Sequence, residues 1–158
     1  MASRKPIVLV NGQMQQLQSG DTLEVPKSET SLVEMTNGES VDALTVGHAV
    51  YVSGAGEVKI ADNSASGTKA VLGLAEETIS ASSSGSIVTN GVKALTTAEW
   101  DAVTGETGGL TAGSRYYLSI AGGLTSIPPT ATGDYVVAVG VAMSTTEMKI
   151  EPEQSILL

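Results

Sequence analysis

The chain has 158 residues, a mass of 16.0 kDa, no cysteine and a formal net charge of −9 with a sequence pI near 4.4. That length suits one domain with an appendage, and the acidic balance excludes a nucleic-acid groove or an anionic membrane as partner, since phosphate binding needs clustered Lys and Arg. The missing cysteine excludes disulfides, thiolate chemistry and a zinc ribbon, while the absence of Phe, a single Trp and 18 Gly favour closely spaced strands of Val, Ile, Leu and Ala over a helical bundle.

At the start of the chain, Arg4-Lys5 precedes only a short apolar run with no small-residue cleavage pattern, so no signal peptide is expected. No stretch approaches the ~20 apolar residues of a membrane span, and the protein is expected to be soluble. Pro6 disfavours helix around itself, and Ile7-Val8-Leu9-Val10 reads as a short strand ended by the turn signal Asn11-Gly12. Gln13 to Gln18 is polar and extended, and Ser19-Gly20-Asp21 marks a second turn. These features suit the first strand of a domain and an arm laid on another chain equally well. Residues 24–41 are polar and charged, interrupted by Leu32-Val33-Glu34-Met35. The expected division is an arm at 1–40, a folded domain at 41–150 and a tail at 151–158.

Within the domain two stretches match. GHAVYVSGAGEV (Gly47 to Val58) aligns without gaps on GSRYYLSIAGGL (Gly113 to Leu124), with Gly47/Gly113, Tyr51/Tyr117, Ser53/Ser119, Ala55/Ala121 and Gly56/Gly122 identical. Each reads as a β-hairpin. AVLGLA (Ala70 to Ala75) and VAVGVA (Val137 to Ala142) follow their hairpins at spacings that differ by one residue. The pattern predicts an internal duplication, and an all-β, compact barrel or sandwich built from two similar halves. Between the halves, Ser86 to Leu95 reads as a strand containing an Asn90-Gly91 turn. Thr96 with Glu99 has the spacing of a capping box and Gly105 is a stop, which predicts one short helix near 97–104. Its Trp100 and Val103 share a face; Trp100 is expected to plug a barrel end, with an exposed carbohydrate-stacking ring as the alternative.

No chemistry-bearing constellation emerges. His48 has no cysteine to partner it and no nucleophile-elbow context, and is expected at a surface or interface. Glu76-Glu77 and Asp62-Asn63 lack calcium-loop spacing and read as solvated loop charges. Gly54-Ala55-Gly56 and Gly108-Gly109 lack a phosphate-loop lysine. The chain is expected not to be an enzyme and to use no cofactor or metal. Beyond the domain, Ile156, Leu157 and Leu158 gain most by docking on a neighbour or on the barrel.

The opening KPIVLVNGQMQQLQSGDTL resembles the N-terminal attachment segment of tail-fibre and head-appendage proteins of tailed bacteriophages. The body, with VYVS, LGLA, LTAGSRYYLS and VVAVGVAMS, is similar to small β-domains of phage virion structural proteins. A tail fibre would continue into a long shaft and a receptor-binding tip, and this sequence stops at Leu158. The resemblance implies a particle component: a capsid decoration (cement) or head-appendage protein in the virion, assembled in the host cytoplasm. It implies a homo-oligomer, with a trimer expected, and the major capsid protein or another virion protein as partner. The residues agree. Lys5 to Leu23 could extend about 60 Å at ~3.3 Å per residue, and its Gln-rich half would order only on a partner, for example by adding a strand to an open edge. The expected contact residues are Pro6, Ile7, Val8, Leu9, Val10, Met14, Leu17 and Leu23 in the arm, with Ile156, Leu157 and Leu158 in the tail. The alternatives are a tail or baseplate fibre adaptor, and a module that binds a host surface glycan through the Ser/Gly loops 61–68 and 80–86 or through Trp100 and Tyr116.

Overall fold

The computed structural model describes residues 30–158, together with the backbone of two short strands ahead of them. These strands, β1 (Ile7–Val10) and β2 (Gln13–Gln16), pair antiparallel with each other, Ile7 opposite Gln16 and Val10 opposite Gln13. The polar segment expected after the Asn11-Gly12 turn signal is thus the pairing partner of the apolar one. The Asn-Gly dipeptide between the two strands is the pair that a two-residue hairpin prefers.

The domain runs through β3 (Ser31–Asn37), β4 (Ala49–Gly54), β5 (Glu57–Ile60), β6 (Val71–Ala75), β7 (Ser84–Ala94), α1 (Thr97–Thr104), β8 (Arg115–Leu118), β9 (Leu124–Thr125), β10 (Tyr135–Val136), β11 (Ala138–Ala142), β12 (Glu147–Ile150) and β13 (Ile156–Leu157). One sheet is ordered β3-β5-β4-β6-β7-β12-β11-β8-β9, and a further β3–β7 pairing closes the first five strands into a barrel. β10 and β13 form a separate two-stranded sheet. Among the described residues no helix is long and apolar enough to cross a membrane.

The domain therefore begins earlier than expected. Ser31–Asn37 had been placed in the arm, yet it pairs with β7 from Ser31 to Thr36 and with β5 at Thr36 and Asn37. Its first four residues are exposed and only Asn37 is buried, so the strand lacks the apolar alternation by which a sequence announces itself. Asn90-Gly91 is a second departure. No turn forms there; β7 runs through it, and Gly91 at φ +108° lets the strand change neighbours. Before it β7 pairs with β6 and β3, and after it with β12.

The two halves are alike down to their register. Val50 faces Gly73 as Tyr116 faces Gly140; Tyr51 then faces Val71 and Tyr117 faces Ala138, so both pairs skip one residue at the same place. In the hairpins Val52 faces Val58 as Leu118 faces Leu124. The Gly47 amide donates to the Ala75 carbonyl at 2.9 Å, and the Gly113 amide to that of Ala142 at 2.8 Å. The closing strands also correspond, since Ala75 faces Ile87 and Ala142 faces Met148. Val33 on β3 faces Ile87, whereas Lys93 on β7 faces Met148. The far part of β7 thus does for the second half what β3 does for the first.

The interiors match position by position. Leu44, Val50, Val58, Ala75 and Ile87 are buried in the first barrel. Their counterparts Leu110, Tyr116, Leu124, Ala142 and Met148 are buried in the larger cluster that also contains Trp100 and Val103. The second half differs by its helix, because the stretch from Leu95 to Leu110 is six residues longer than that from Met35 to Leu44. α1 forms as its caps dictate. Thr96 N donates to Glu99 Oε2 at 2.8 Å, Glu99 N donates to Thr96 Oγ1 at 3.3 Å, and left-handed Gly105 donates to the Asp101 carbonyl at 2.8 Å. A buried side-chain N–H then fastens a loop in each half: Asn37 Nδ2 donates to the Ile79 carbonyl at 2.9 Å, and Trp100 Nε1 to the Thr146 carbonyl at 3.0 Å.

Gly73 and Gly140 occupy the same place in the two halves, and for the same reason. A Cβ on Gly73 would lie 2.0 Å from the Val88 carbonyl oxygen, and one on Gly140 would lie 2.3 Å from that of Lys149. Only glycine lets the returning strand approach its neighbour so closely. Replacing glycine by alanine restricts the unfolded chain and is worth ~0.4–1 kcal/mol in the opposite direction, but overpacking costs ~1–3 kcal/mol or more. Gly73→Ala and Gly140→Ala are therefore each expected to destabilise by about 2 kcal/mol or more, read from urea unfolding. Midpoints unchanged from the parent protein would show that the strands do not depend on this approach.

Candidate partner-binding surfaces

Of the residues expected to contact a partner, Ile7 to Val10 and Met14 lie on the β1–β2 hairpin, Met14 opposite Leu9. Pro6, Leu17 and Leu23 lie outside the described residues. Ile156 and Leu157 form β13, opposite Val136 and Tyr135, and the Leu158 amide donates to the Asp134 carbonyl at 3.1 Å. The tail is thus fastened to its own domain through its backbone, while Ile156, Leu157 and Leu158 keep their side chains in solvent. On β3, Leu32 and Val33 are exposed as well. Neighbouring residues on a strand point to opposite faces, so neither face of this part of β3 is covered by the described residues.

The rings considered for stacking on a glycan are elsewhere. Trp100 and Tyr116 are both wholly buried, so neither can serve as a platform. Tyr116 Oη donates to Glu106 Oε2 at 2.8 Å and accepts from the Thr111 amide at 3.0 Å, and Ser126 Oγ donates to Glu106 Oε1 at 2.6 Å. Burial, with the adjacent carboxylate adding to it, pushes the Tyr116 phenol up. This constellation satisfies buried polar atoms and holds the second half together. Of the Ser/Gly loops, Ser84 to Ser86 is the start of β7 rather than loop.

The charges read as solvated do structural work instead. Lys93 is only 3% exposed, and its ammonium bonds the Glu76 carboxylate at 2.7 Å and the Glu76 carbonyl at 2.6 Å. Glu76 follows β6 and Lys93 lies on the far part of β7, so the pair spans the seam between the halves. Asp62 Oδ1 accepts from the Ser64 amide at 2.8 Å and from Ser64 Oγ at 2.5 Å, while Oδ2 accepts from the Ala121 amide at 3.1 Å. Burial opposes its charge, but the Ser64 and Ala121 bonds outweigh that and hold the carboxyl below its ordinary range. Asn63 is buried, and its carbonyl accepts from the Tyr135 amide at 2.9 Å. The contacts of Glu76 with Lys93 and of Asp62 with Ala121 escaped a reading from sequence because those partners lie 17 and 59 residues away, where short-range spacing carries no signal.

Among the described residues no group of three or more His, Cys, Asp and Glu is placed to hold a metal ion. On the surface of the second half, Arg115 pairs with Glu153 at 2.6 Å and Lys149 with Glu151 at 2.7 Å. The Lys149 ammonium, bonded to Glu151, holds that carboxyl below its ordinary range. The Arg115–Glu153 pair ties the closing segment to β8, and the Lys149–Glu151 pair lies along a single strand. No protein-family model matches the chain, and no curated protein is significantly similar to it.

His48 directly precedes β4 at the seam between the halves, close against Gly122. Its ring is half-buried, Nδ1 has no hydrogen-bond partner among the described residues, and burial lowers its pKa below the ordinary 6.5. Above that value the ring is neutral both folded and unfolded, and the contribution of His48 to stability is complete. As the pH falls below 6.5 the unfolded chain takes the proton first, so stability declines until the folded pKa is passed. Urea midpoints are expected to fall between about pH 7 and about pH 5, above the carboxylate range, and His48→Gln is expected to flatten that step. An equal slope in the variant would assign the loss to other groups.

Proposed function

We propose that this protein is a structural component of a tailed-phage particle. In this reading it is a capsid decoration or head-appendage protein that docks through its N-terminal segment and acts mechanically, by clamping its neighbours. The observation that carries the reading is the separation of the β1–β2 hairpin from the domain's own sheets, which begin at Ser31. A strand pair in a sheet of its own, ahead of the β-domain, suits attachment to another chain, and its resemblance to phage attachment segments points the same way. The proposed partners are the major capsid protein or another virion protein, and further copies of this chain, with a trimer as the expected number. Many weak contacts repeated over a symmetric shell would supply the holding strength by avidity. The glycan reading has less support, since Trp100 and Tyr116 are buried.

The test compares the full chain with one lacking residues 1–23 on particles stripped of this protein, counting attached copies and the heat survival of the particles. The shortened chain is expected to stay folded, because the described domain starts beyond the deletion, and to lose attachment at least about tenfold through the lost contacts. Equal attachment without residues 1–23 would remove the docking role. Stripped particles as heat-resistant as complete ones would remove the clamping role.

A further inference from the structure

One edge of the first barrel is left open. β3 lies between β7 and β5, but β5 reaches it only at Thr36 and Asn37. The Asn37 amide donates toward β7, to the Ser83 carbonyl at 2.8 Å, whereas the Thr36 amide donates away from it, to the Gly56 carbonyl at 2.9 Å. Backbone groups alternate sides along a strand, so those of Leu32 and Glu34 point the way of Thr36, where β5 has not yet begun. Among the described residues no strand pairs with Leu32 and Glu34 on that side. Such a row of amides and carbonyls is a template for a further strand.

The edge is apolar on both faces. Ala49, Leu74 and Val88 lie side by side on β4, β6 and β7, wholly buried in the cluster they share with the second half. Leu32 faces Val88 and is next in that row, yet it is 53% exposed. On the other face Val33 stands opposite buried Ile87 and is 42% exposed. An added strand would pair the open backbone and take both side chains out of water.

The chain itself supplies a strand that fits. Ile7–Val10 is apolar throughout and pairs on one side with β2. Charge favours the match. Residues 1–16 hold Arg4 and Lys5 and no acidic residue, whereas residues 30–158 hold five Lys and Arg against 14 Asp and Glu. Set antiparallel with Val8 opposite Val33, the strand covers Ser31 to Glu34. Pro6, which has no N–H for a ladder, then ends it just short of the place where β5 takes over the edge. Arg4 and Lys5 are brought toward Glu57, which is exposed and close against Gly38. A parallel strand would carry them the other way. Within one chain the hairpin forms a sheet of its own and leaves this edge unfilled, and residues 17–30 could span up to about 45 Å toward a neighbour.

We propose that Ile7–Val10 of one copy adds antiparallel to the open edge of β3, Ser31 to Glu34, in a second copy. Each copy offers one strand and one edge, so the contacts close as a reciprocal pair or as a ring. The inference names the surface by which copies join, and it does not rest on attachment to a particle.

The lack of native cysteine makes cross-linking a clean test. Val8→Cys and Val33→Cys are made in separate full-length chains, checked for parental fold by circular dichroism, mixed and oxidised; residues directly opposite in a strand pair lie close enough for a disulfide. The expected product joins one chain of each kind, and forms at least about tenfold faster than between Val8→Cys and the exposed control Ile127→Cys. Sedimentation velocity is expected to show that the parent chain associates, and that Leu32→Lys weakens association at least about tenfold through the apolar burial lost. A mixture that links no faster than the control would overturn the proposal, as would a parent chain that stays monomeric at all concentrations. So would a double variant, with both cysteines in one chain, that closes on itself while the mixed single variants stay unlinked, since that places the strand on its own edge.

Discussion

The structure depends on one strand serving two halves. β7 has 11 residues, about twice the commonest strand length, and each part of it has a separate obligation. Its first part lies between β6 and β3 and closes the barrel; its last four residues form the first strand against β12. The halves are therefore not two beads on a linker. Neither has a complete set of strands without β7, and Gly91 marks the point where the strand passes from one to the other.

From that shared strand follows the chemistry of the seam. The outward row of the first half, Ala49, Leu74 and Val88, is buried beneath the second, and Gly73 keeps β6 close enough to β7 for the row to be flat. At its edge the buried Lys93 ammonium pairs with Glu76, whose carboxylate reaches solvent. Such a pair adds little net stability compared with apolar packing, yet separating it leaves a buried ammonium without its counter-charge. The seam is thus intolerant of slippage rather than strong. Asp62 acts similarly from the other side, since its carboxylate ties its own turn to the amide of Ala121 in the second half.

Two of the chain's five aromatic rings are wholly buried. Trp100, on a helix that exists only because the second half is six residues longer, and Tyr116, which stands where the first half has Val50, fill the wider of the two interiors. Exposed aliphatic residues on strands include Leu32 and Val33 on β3 and Ile156 and Leu157 on β13. These exposed aliphatics leave apolar area in water on an otherwise acidic surface.

Much was legible from the sequence because its signals are local. The alignment of Gly47–Val58 with Gly113–Leu124 placed both hairpins, the paired Gly73 and Gly140 marked both returning strands, and Thr96, Glu99 and Gly105 bounded the one helix. Each rests on a turn, a cap or an alternation complete within a dozen residues. What the tertiary structure decided was every question of who pairs with whom. It made Ser31–Asn37 a barrel strand though its first four residues are exposed, turned Asn90-Gly91 from a turn into a change of neighbour, buried Lys93 against Glu76, and tied Glu153 of the closing segment to Arg115. Those outcomes depend on groups 17 to 59 residues apart, and a sequence holds no local trace of an approach that exists only once the sheet has closed.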